Sequence, residues 1–207
     1  GLLVKGERGN YYDRFRGRLM FSIKDSRDFV VGFSGRALDN KEKEAKYINT
    51  PETPIYHKRE TLFGINLAKD SIKKEKDVYI VEGEFDMISP YQSGFTNFVA
   101  IKGTALTNEQ LKLLKRYTER ITLALDADVA GVESTRRGIE EAEKLDLEVR
   151  VVRLPSGKDP DEAVRSDLAG FKKAISKPIP VYDFLIESAK KKYPEDNSFD
   201  KKKIAEE

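Results

Sequence analysis

Two acidic clusters, each closing an apolar run, hold the residue types that could do chemistry in this chain. Val78-Tyr79-Ile80-Val81 leads into Glu82-Gly83-Glu84-Phe85-Asp86, and Ile121-Thr122-Leu123-Ala124-Leu125 leads into Asp126-Ala127-Asp128. Carboxylates crowded at one place repel one another unless a hard cation neutralises them. Asp126 and Asp128 stand at i and i+2. At the end of an extended segment that spacing turns both carboxylates to one side, where they can share one Mg²⁺ or bridge two. Glu82 ends a strand expected to lie beside the strand that ends in Asp126. Three carboxylates converging there make an oxygen-rich site for Mg²⁺ or Mn²⁺. A third acidic turn, Lys158-Asp159-Pro160-Asp161-Glu162, follows a later apolar run.

Each acid also has a structural reading. Asp128 can cap a helix starting near Val129, and Asp159 is a good N-cap, with Pro160 at the first helical position and Glu162 completing the box. The joint case is stronger than the single ones. Three separate strand ends carry acids, and open α/β sheets bind ligands beyond the carboxyl ends of their strands.

The elements that must position these acids alternate strand and helix. Val78 to Val81 reads as a buried strand, Glu84 to Gln92 as a short helix, and Asn97 to Ile101 as a second strand with Lys102-Gly103-Thr104 at its end. Thr107-Asn108-Glu109-Gln110 is a capping box opening a helix to Tyr117. Ile121 to Leu125, Gly131 to Leu145 and Leu147 to Leu154 read as strand, helix and strand. Residues 160–193 read as helical, broken at Pro178 and Pro180. The expected fold is α/β, a mostly parallel sheet flanked by helices. A small mixed α+β subdomain precedes it and a helical segment follows.

The part before the sheet is basic and aromatic. Arg14, Arg16 and Arg18 alternate, so an extended segment would project all three from one side. Leu19 to Ile23 and Phe29 to Ser34 read as a hairpin, Lys46 to Asn49 as a short strand, and Thr61 to about Ile72 as an amphipathic helix. The Arg row could track phosphates, with Tyr11, Tyr12 and Phe15 available to stack on bases. On residues alone it reads as a solvated strand face, because alternating charge is ordinary on half-exposed strands. Lys58 and Arg59 are candidates for anion contact.

Composition narrows the chemistry further. The 207 residues carry a net charge of only +2, so any nucleic-acid contact must come from local patterning. Charged residues make up 36% of the chain, against a usual share of about 25%. The absence of cysteine excludes disulfides and Cys-ligated zinc, so no zinc site is expected. His57 is the only histidine, which excludes a His-based metal cluster or triad within the chain. No apolar run approaches the ~18 residues of a membrane span, so neither a membrane span nor a signal peptide is expected. A Walker loop and a dinucleotide fingerprint are both missing. Asp126 to Gly131 imitates the start of an EF-hand, but Ala130 stands at a ligand position and Arg137 where the bidentate Glu belongs.

Glu82-Gly83-Glu84-Phe85-Asp86 with Asp126-Ala127-Asp128 resembles the Toprim fold, a metal-binding module of bacterial primases, topoisomerases and some nucleases. The flanks narrow the resemblance. Arg14-Phe15-Arg16-Gly17-Arg18-Leu19-Met20-Phe21, Gly32-Phe33-Ser34-Gly35-Arg36 and Lys46-Tyr47-Ile48-Asn49-Thr50-Pro51-Glu52-Thr53 are similar to the RNA polymerase domain of bacterial DnaG-type primases. So are Phe63-Gly64 and Gly157 to Glu162. The resemblance covers the chain to roughly residue 190.

The resemblance implies DNA-dependent RNA primer synthesis, a metal-dependent nucleotidyl transfer from ribonucleoside triphosphates on a single-stranded DNA template. Carried over by position, Glu82, Asp126 and Asp128 would be catalytic metal ligands for Mg²⁺ or Mn²⁺, with Asp86, Asp159 and Asp161 as further acids of the same cleft. Arg14, Arg16, Arg18, Arg36, Lys46, Asn49 and Lys58 match the family's basic groove for template and triphosphate, which reverses the bland reading of the Arg row. The expected parts are a basic subdomain at 1–75, a Toprim subdomain at 76–157 and a helical subdomain at 158–207. Expected partners are single-stranded DNA, ribonucleoside triphosphates, the RNA–DNA hybrid and a replicative helicase, in the cytoplasm at the nucleoid and replication fork, with no membrane. The family's full proteins add an N-terminal zinc module and a C-terminal helicase-binding domain. The chain is therefore expected to be a fragment, weakly active or inactive in primer synthesis by itself. The alternatives are another Toprim enzyme, such as a topoisomerase or nuclease fragment, and a non-catalytic module that binds single-stranded nucleic acid.

Overall fold

A computed structural model describes residues 2–7, 9–39, 45–103, 105–124, 133–154 and 159–193. The first part is built from antiparallel strands. β1 (Leu3–Lys5) pairs with β2 (Tyr11–Asp13). β3 (Arg18–Lys24), β4 (Val30–Ala37) and β5 (Tyr47–Asn49) form a separate three-stranded sheet in the order β3-β4-β5. Asp25 ties the β3–β4 turn by accepting the backbone N–H groups of Arg27 (2.9 Å) and Phe29 (3.0 Å), an Asx-type turn. Gly35 lets Phe15 lie against β4, since a Cβ there would come within 2.7 Å of the Phe15 ring. That packing decides the fate of the arginine row. Phe15 is buried, Gly17 is left-handed at φ 64, and residues 14–17 form a turn rather than a strand. Only Arg18 sits in β3, so the expected one-sided ridge of Arg14, Arg16 and Arg18 does not form.

The second part is a five-stranded sheet in the order β10-β9-β8-β6-β7. β6 (Val78–Val81) runs parallel to both β7 (Phe98–Ala100) and β8 (Arg120–Leu123), and β8 runs parallel to β9 (Glu148–Val151). β10 (Ile179–Pro180) closes one edge antiparallel to β9. The sequence reading missed this short strand. A proline is tolerated there because an edge strand need not donate on its open side.

Alternation along the strands feeds two apolar cores. Val78, Ile80, Val99, Ile121, Val149 and Val151 face one side, where α1 (Ile65–Glu75), α3 (Asn108–Lys115), α4 (Glu133–Glu143) and α7 (Val181–Lys192) supply Ile72, Leu111, Ile139 and Val181. Val81, Phe98, Ala100 and Val152 face the other. There α2 (Glu84–Gln92), α5 (Pro160–Ser166) and α6 (Leu168–Ile175) supply Met87, Ala163 and Phe171. Helices on both faces of a mostly parallel sheet give the α/β architecture expected. Among the described residues no helix is long and apolar enough to cross a membrane.

The two parts are joined by backbone. Phe63 exchanges hydrogen bonds with Ala100 (2.9 and 3.0 Å), adding a bridge to the β7 edge. Residues 61–64 are therefore committed to that edge, and α1 begins at Ile65 after left-handed Gly64 (φ 84), not at Thr61. Phe21 packs edge-on against Phe63 (6.3 Å) and Phe85 (5.6 Å), which brings β3 onto α2.

Candidate functional site

β6 delivers Glu82 to the carboxyl end of the sheet, and α2 starts two residues later. Gly83 is the N-cap of α2, and its N–H donates to Asp86 Oδ2 at 3.0 Å. Glu82 thus lies just beyond the strand end, and Glu84 and Asp86 lie in the first helical turn. They line a 260 Å³ cleft together with Tyr47 and Asn49 of β5 and Lys102 beyond β7. The N-terminal sheet therefore forms one wall of the cleft, and the parallel sheet the other.

Glu84 is buried, and one of its oxygens takes both an ion pair and a hydrogen bond. Lys102 Nζ lies 2.9 Å from Glu84 Oε1, and Ser34 Oγ donates to the same atom at 2.5 Å. Burial pushes the Lys102 ammonium below its usual pKa, the Glu84 carboxylate opposes that shift, and the nearby Lys58 charge adds to it. The Lys102 N–H also donates to the carbonyl of Glu82 at 2.8 Å.

The later acids divide by role. Asp159 caps α5, accepting from Glu162 N–H at 2.7 Å, as its capping motif predicts. Asp161 accepts a short hydrogen bond from Ser89 Oγ and lies 3.5 Å from Arg165. Its N–H approaches Asp86 Oδ1 at 3.4 Å. These contacts dock the start of α5 on α2, so Asp86 and Asp161 stand together beside the cleft. Asp126 and Asp128 lie outside the described residues. Their strand does run where expected, parallel to β6 with Ile80 opposite Leu123 and the Ala124 N–H donating to Ile80 O at 2.9 Å.

Among the described residues no group of three or more His, Cys, Asp or Glu could hold a metal. The available donor set still suits one class of ion. Every acid on the cleft is a carboxylate, and Asn49 Oδ1 is buried with no hydrogen-bond partner among the described residues. Oxygen donors of this kind fit Mg²⁺ or Mn²⁺. His57 is instead exposed, 3.1 Å from Glu52.

The basic residues are placed unevenly. Arg36 lies 4.5 Å from the Phe85 ring and donates to Tyr47 Oη at 3.4 Å, on the cleft side of β4. Lys58 is half-buried within reach of Lys102, and Lys46 is exposed just before β5. Arg18 is spent on backbone, donating to the carbonyls of Gly35 (3.2 Å), Ala45 (2.8 Å) and Lys46 (3.4 Å). Arg16 is exposed over Tyr12 at 5.1 Å, and Arg14 is half-buried in the 14–17 turn.

Two family models match this chain. One, described as DNA primase catalytic core, N-terminal domain, covers residues 1–69. The other, described as Toprim-like, covers residues 79–164. A DNA primase of Deinococcus radiodurans is 40% identical over 207 residues, 99% of this chain and 36% of that protein. A solved RNA polymerase domain of Mycobacterium tuberculosis primase DnaG, in complex with a double-stranded DNA oligomer with a 6-nucleotide overhang, is 32% identical. Its TM-score is 0.80, over 100% of this chain and 67% of that one. The chain belongs to the DnaG-type primase family. A DnaG primase catalytic domain bound to single-stranded DNA gives a TM-score of 0.83 at 33% identity, covering 99% of this chain and 66% of that one. The chain spans about a third of the length of the Deinococcus primase it matches.

The Ser34–Glu84–Lys102 contact was not among the expectations from the sequence. Its only signal was an unexplained lysine at the end of an otherwise apolar strand, Phe98 to Ile101. Nothing local pairs that lysine with an acid 18 positions earlier.

Proposed function

We propose that this chain is the catalytic part of a DNA primase, joining ribonucleotides on a single-stranded DNA template. The observation that carries this reading is the cleft itself. In it, strand-end acids of a Toprim-like sheet face Asn49 and Tyr47 of the basic module, with Arg36 and Lys58 beside them. The family membership and the ssDNA-bound neighbour support the same substrate class.

In this proposal Glu82, Asp126 and Asp128 hold Mg²⁺ or Mn²⁺. When bound, such an ion would lower the pKa of the attacking hydroxyl and offset charge on the departing pyrophosphate. Asp86 and Asp161 brace the start of α2 and α5 against each other, which keeps the acid-bearing turn in place. Arg36, Lys46 and Lys58 orient the triphosphate, and exposed Arg16 with its half-buried neighbour Arg14 contacts template phosphates. Arg18 acts by holding β4 and β5 together. The working parts are taken as residues 1–75, 76–157 and 158–207. The full-length protein would act with a replicative helicase at the fork, in the nucleoid.

The test is ribonucleotide incorporation on single-stranded DNA by the full-length protein carrying Glu82→Gln or Asp126→Asn. Loss of metal-dependent synthesis with template binding retained is the expected result. Synthesis unchanged in both variants would overturn the assignment. Template cleavage or relaxation without synthesis would transfer the site to another Toprim chemistry.

A further inference from the structure

Lys102 is held in an unusual way. Its side chain is only 4% accessible, which is rare for lysine. Its backbone is left-handed at φ 61, and Gly103 follows at φ 68. Side chains rarely adopt that conformation unless the surroundings impose it, and such residues cluster at functional sites. Here the conformation lets one residue reach two others. The Lys102 N–H bonds the Glu82 carbonyl at 2.8 Å while its ammonium sits 2.9 Å from Glu84 Oε1. Lys102 thus grips both ends of the Glu82-Gly83-Glu84 turn, and Ser34 of β4 holds the same Glu84 oxygen from the opposite wall.

The charge balance gives this grip a purpose. Glu84 stands between Glu82 and Asp86 on the cleft, so the three form a strongly anionic turn. An uncompensated Glu84 carboxylate would compete with Glu82 for any cation and add repulsion between neighbours. Lys102 supplies one compensating positive charge directly on Glu84.

We propose that Lys102 is a positioning residue that cancels the charge of Glu84 and withholds that carboxylate from the divalent cation, leaving Glu82 as the β6 donor. This rests on the metal reading given above. It has an electrostatic signature that a merely structural lysine lacks. Removing the ammonium leaves an extra negative charge beside the cation, and removing Glu84 leaves an extra positive one. The two changes must therefore move cation affinity in opposite directions and cancel when combined.

The experiment is Mn²⁺ binding to the full-length protein, read from the electron paramagnetic resonance of free Mn²⁺. Wild type is compared with Lys102→Met, Glu84→Gln, the double variant and Lys102→Arg, with Asp126→Asn as the marker of the site. Lys102→Met should tighten Mn²⁺ binding about tenfold and Glu84→Gln should weaken it about tenfold, the scale of one unit charge in a partly buried site. The double variant and Lys102→Arg should both return close to wild type. If Lys102→Met does not fold, the opposite-sign arm of Glu84→Gln against the double variant carries the same test. Both single variants weakening Mn²⁺, or neither changing it, would overturn the proposal while an Asp126→Asn effect leaves the metal reading standing. Wild-type binding indifferent to Asp126→Asn would instead overturn the metal reading beneath it.

Discussion

Gly64 is the point where the N-terminal module is handed to the sheet, and substituting it tests how tightly that junction is built. Its φ of +84 lies in the left-handed region, and a Cβ there would meet Met87 Cε at 2.4 Å and Sδ at 2.9 Å. Met87 is buried in the middle of α2, the helix that carries Glu84 and Asp86. Gly64→Ala therefore has two costs. The left-handed backbone costs about 1–2 kcal/mol for a residue with a Cβ. Displacing a buried methionine adds about 1–3 kcal/mol of overpacking. Gly94, at the other end of α2, provides the control. It is also left-handed, at φ +93, but nothing lies within 4 Å of its missing Cβ. Gly94→Ala should incur the backbone cost alone. Urea unfolding at 25 °C of both variants isolates the Met87 collision as the difference, about 1–3 kcal/mol in favour of Gly94→Ala. If the two variants lose the same stability within about 0.5 kcal/mol, the close packing of Gly64 on Met87 is wrong. So is the account of how α2 is seated.

Three further outcomes follow from the opposite end of the sheet and from its caps. Asp77 is buried, accepts from Thr122 Oγ1 at 3.0 and 3.1 Å, and pairs closely with Arg150. Asp77→Asn should cost about 3 kcal/mol in chemical denaturation by stranding the guanidinium, and Asp77→Asn with Arg150→Met should recover part of it. Thr107 accepts from the Gln110 N–H and also donates to the Arg59 carbonyl, so Thr107→Ala should cost about 1–2 kcal/mol in the same assay. Burial raises Tyr56 and Tyr79 from 10.0 to about 12. Their ionisation is resisted only in the folded state, so stability is intact below pH 10 and falls as pH rises from 10 towards 12. Thermal unfolding at pH 9 and pH 11 checks the sign, and a higher Tm at pH 11 would contradict it.

The parallel sheet was legible because its strands are short β-branched runs with polar ends. Val78–Val81 and Glu84–Gln92 fall where the residues place them, and the Thr107 capping box opens α3. Legibility failed where tertiary packing overrode local pattern. The alternating arginines read as a strand face until the burial of Phe15 against Gly35 folded residues 14–17 into a turn. The start of α1 was misplaced because Phe63 pairs with Ala100 on the β7 edge, a contact no local signal announces. β10 is two residues long and contains a proline, so only its neighbour β9 reveals it. Within the site, Glu82 and Asp86 were readable from the strand-end motif. The Glu84–Lys102 pair was not, because its partners come from different strand ends and a lone lysine in a loop ordinarily reads as solvated.

In the proposed site Glu82 shares a divalent cation with the acids that follow β8. Crystals of the chain soaked in Mn²⁺ test it most directly through anomalous scattering. One or two peaks are expected at the carboxyl ends of β6 and β8, with Glu82 and Asp126 oxygens about 2.0–2.1 Å away, the range for a small octahedral cation. Anomalous density confined to Asp159 or the exposed surface, with none beside Glu82, would contradict it.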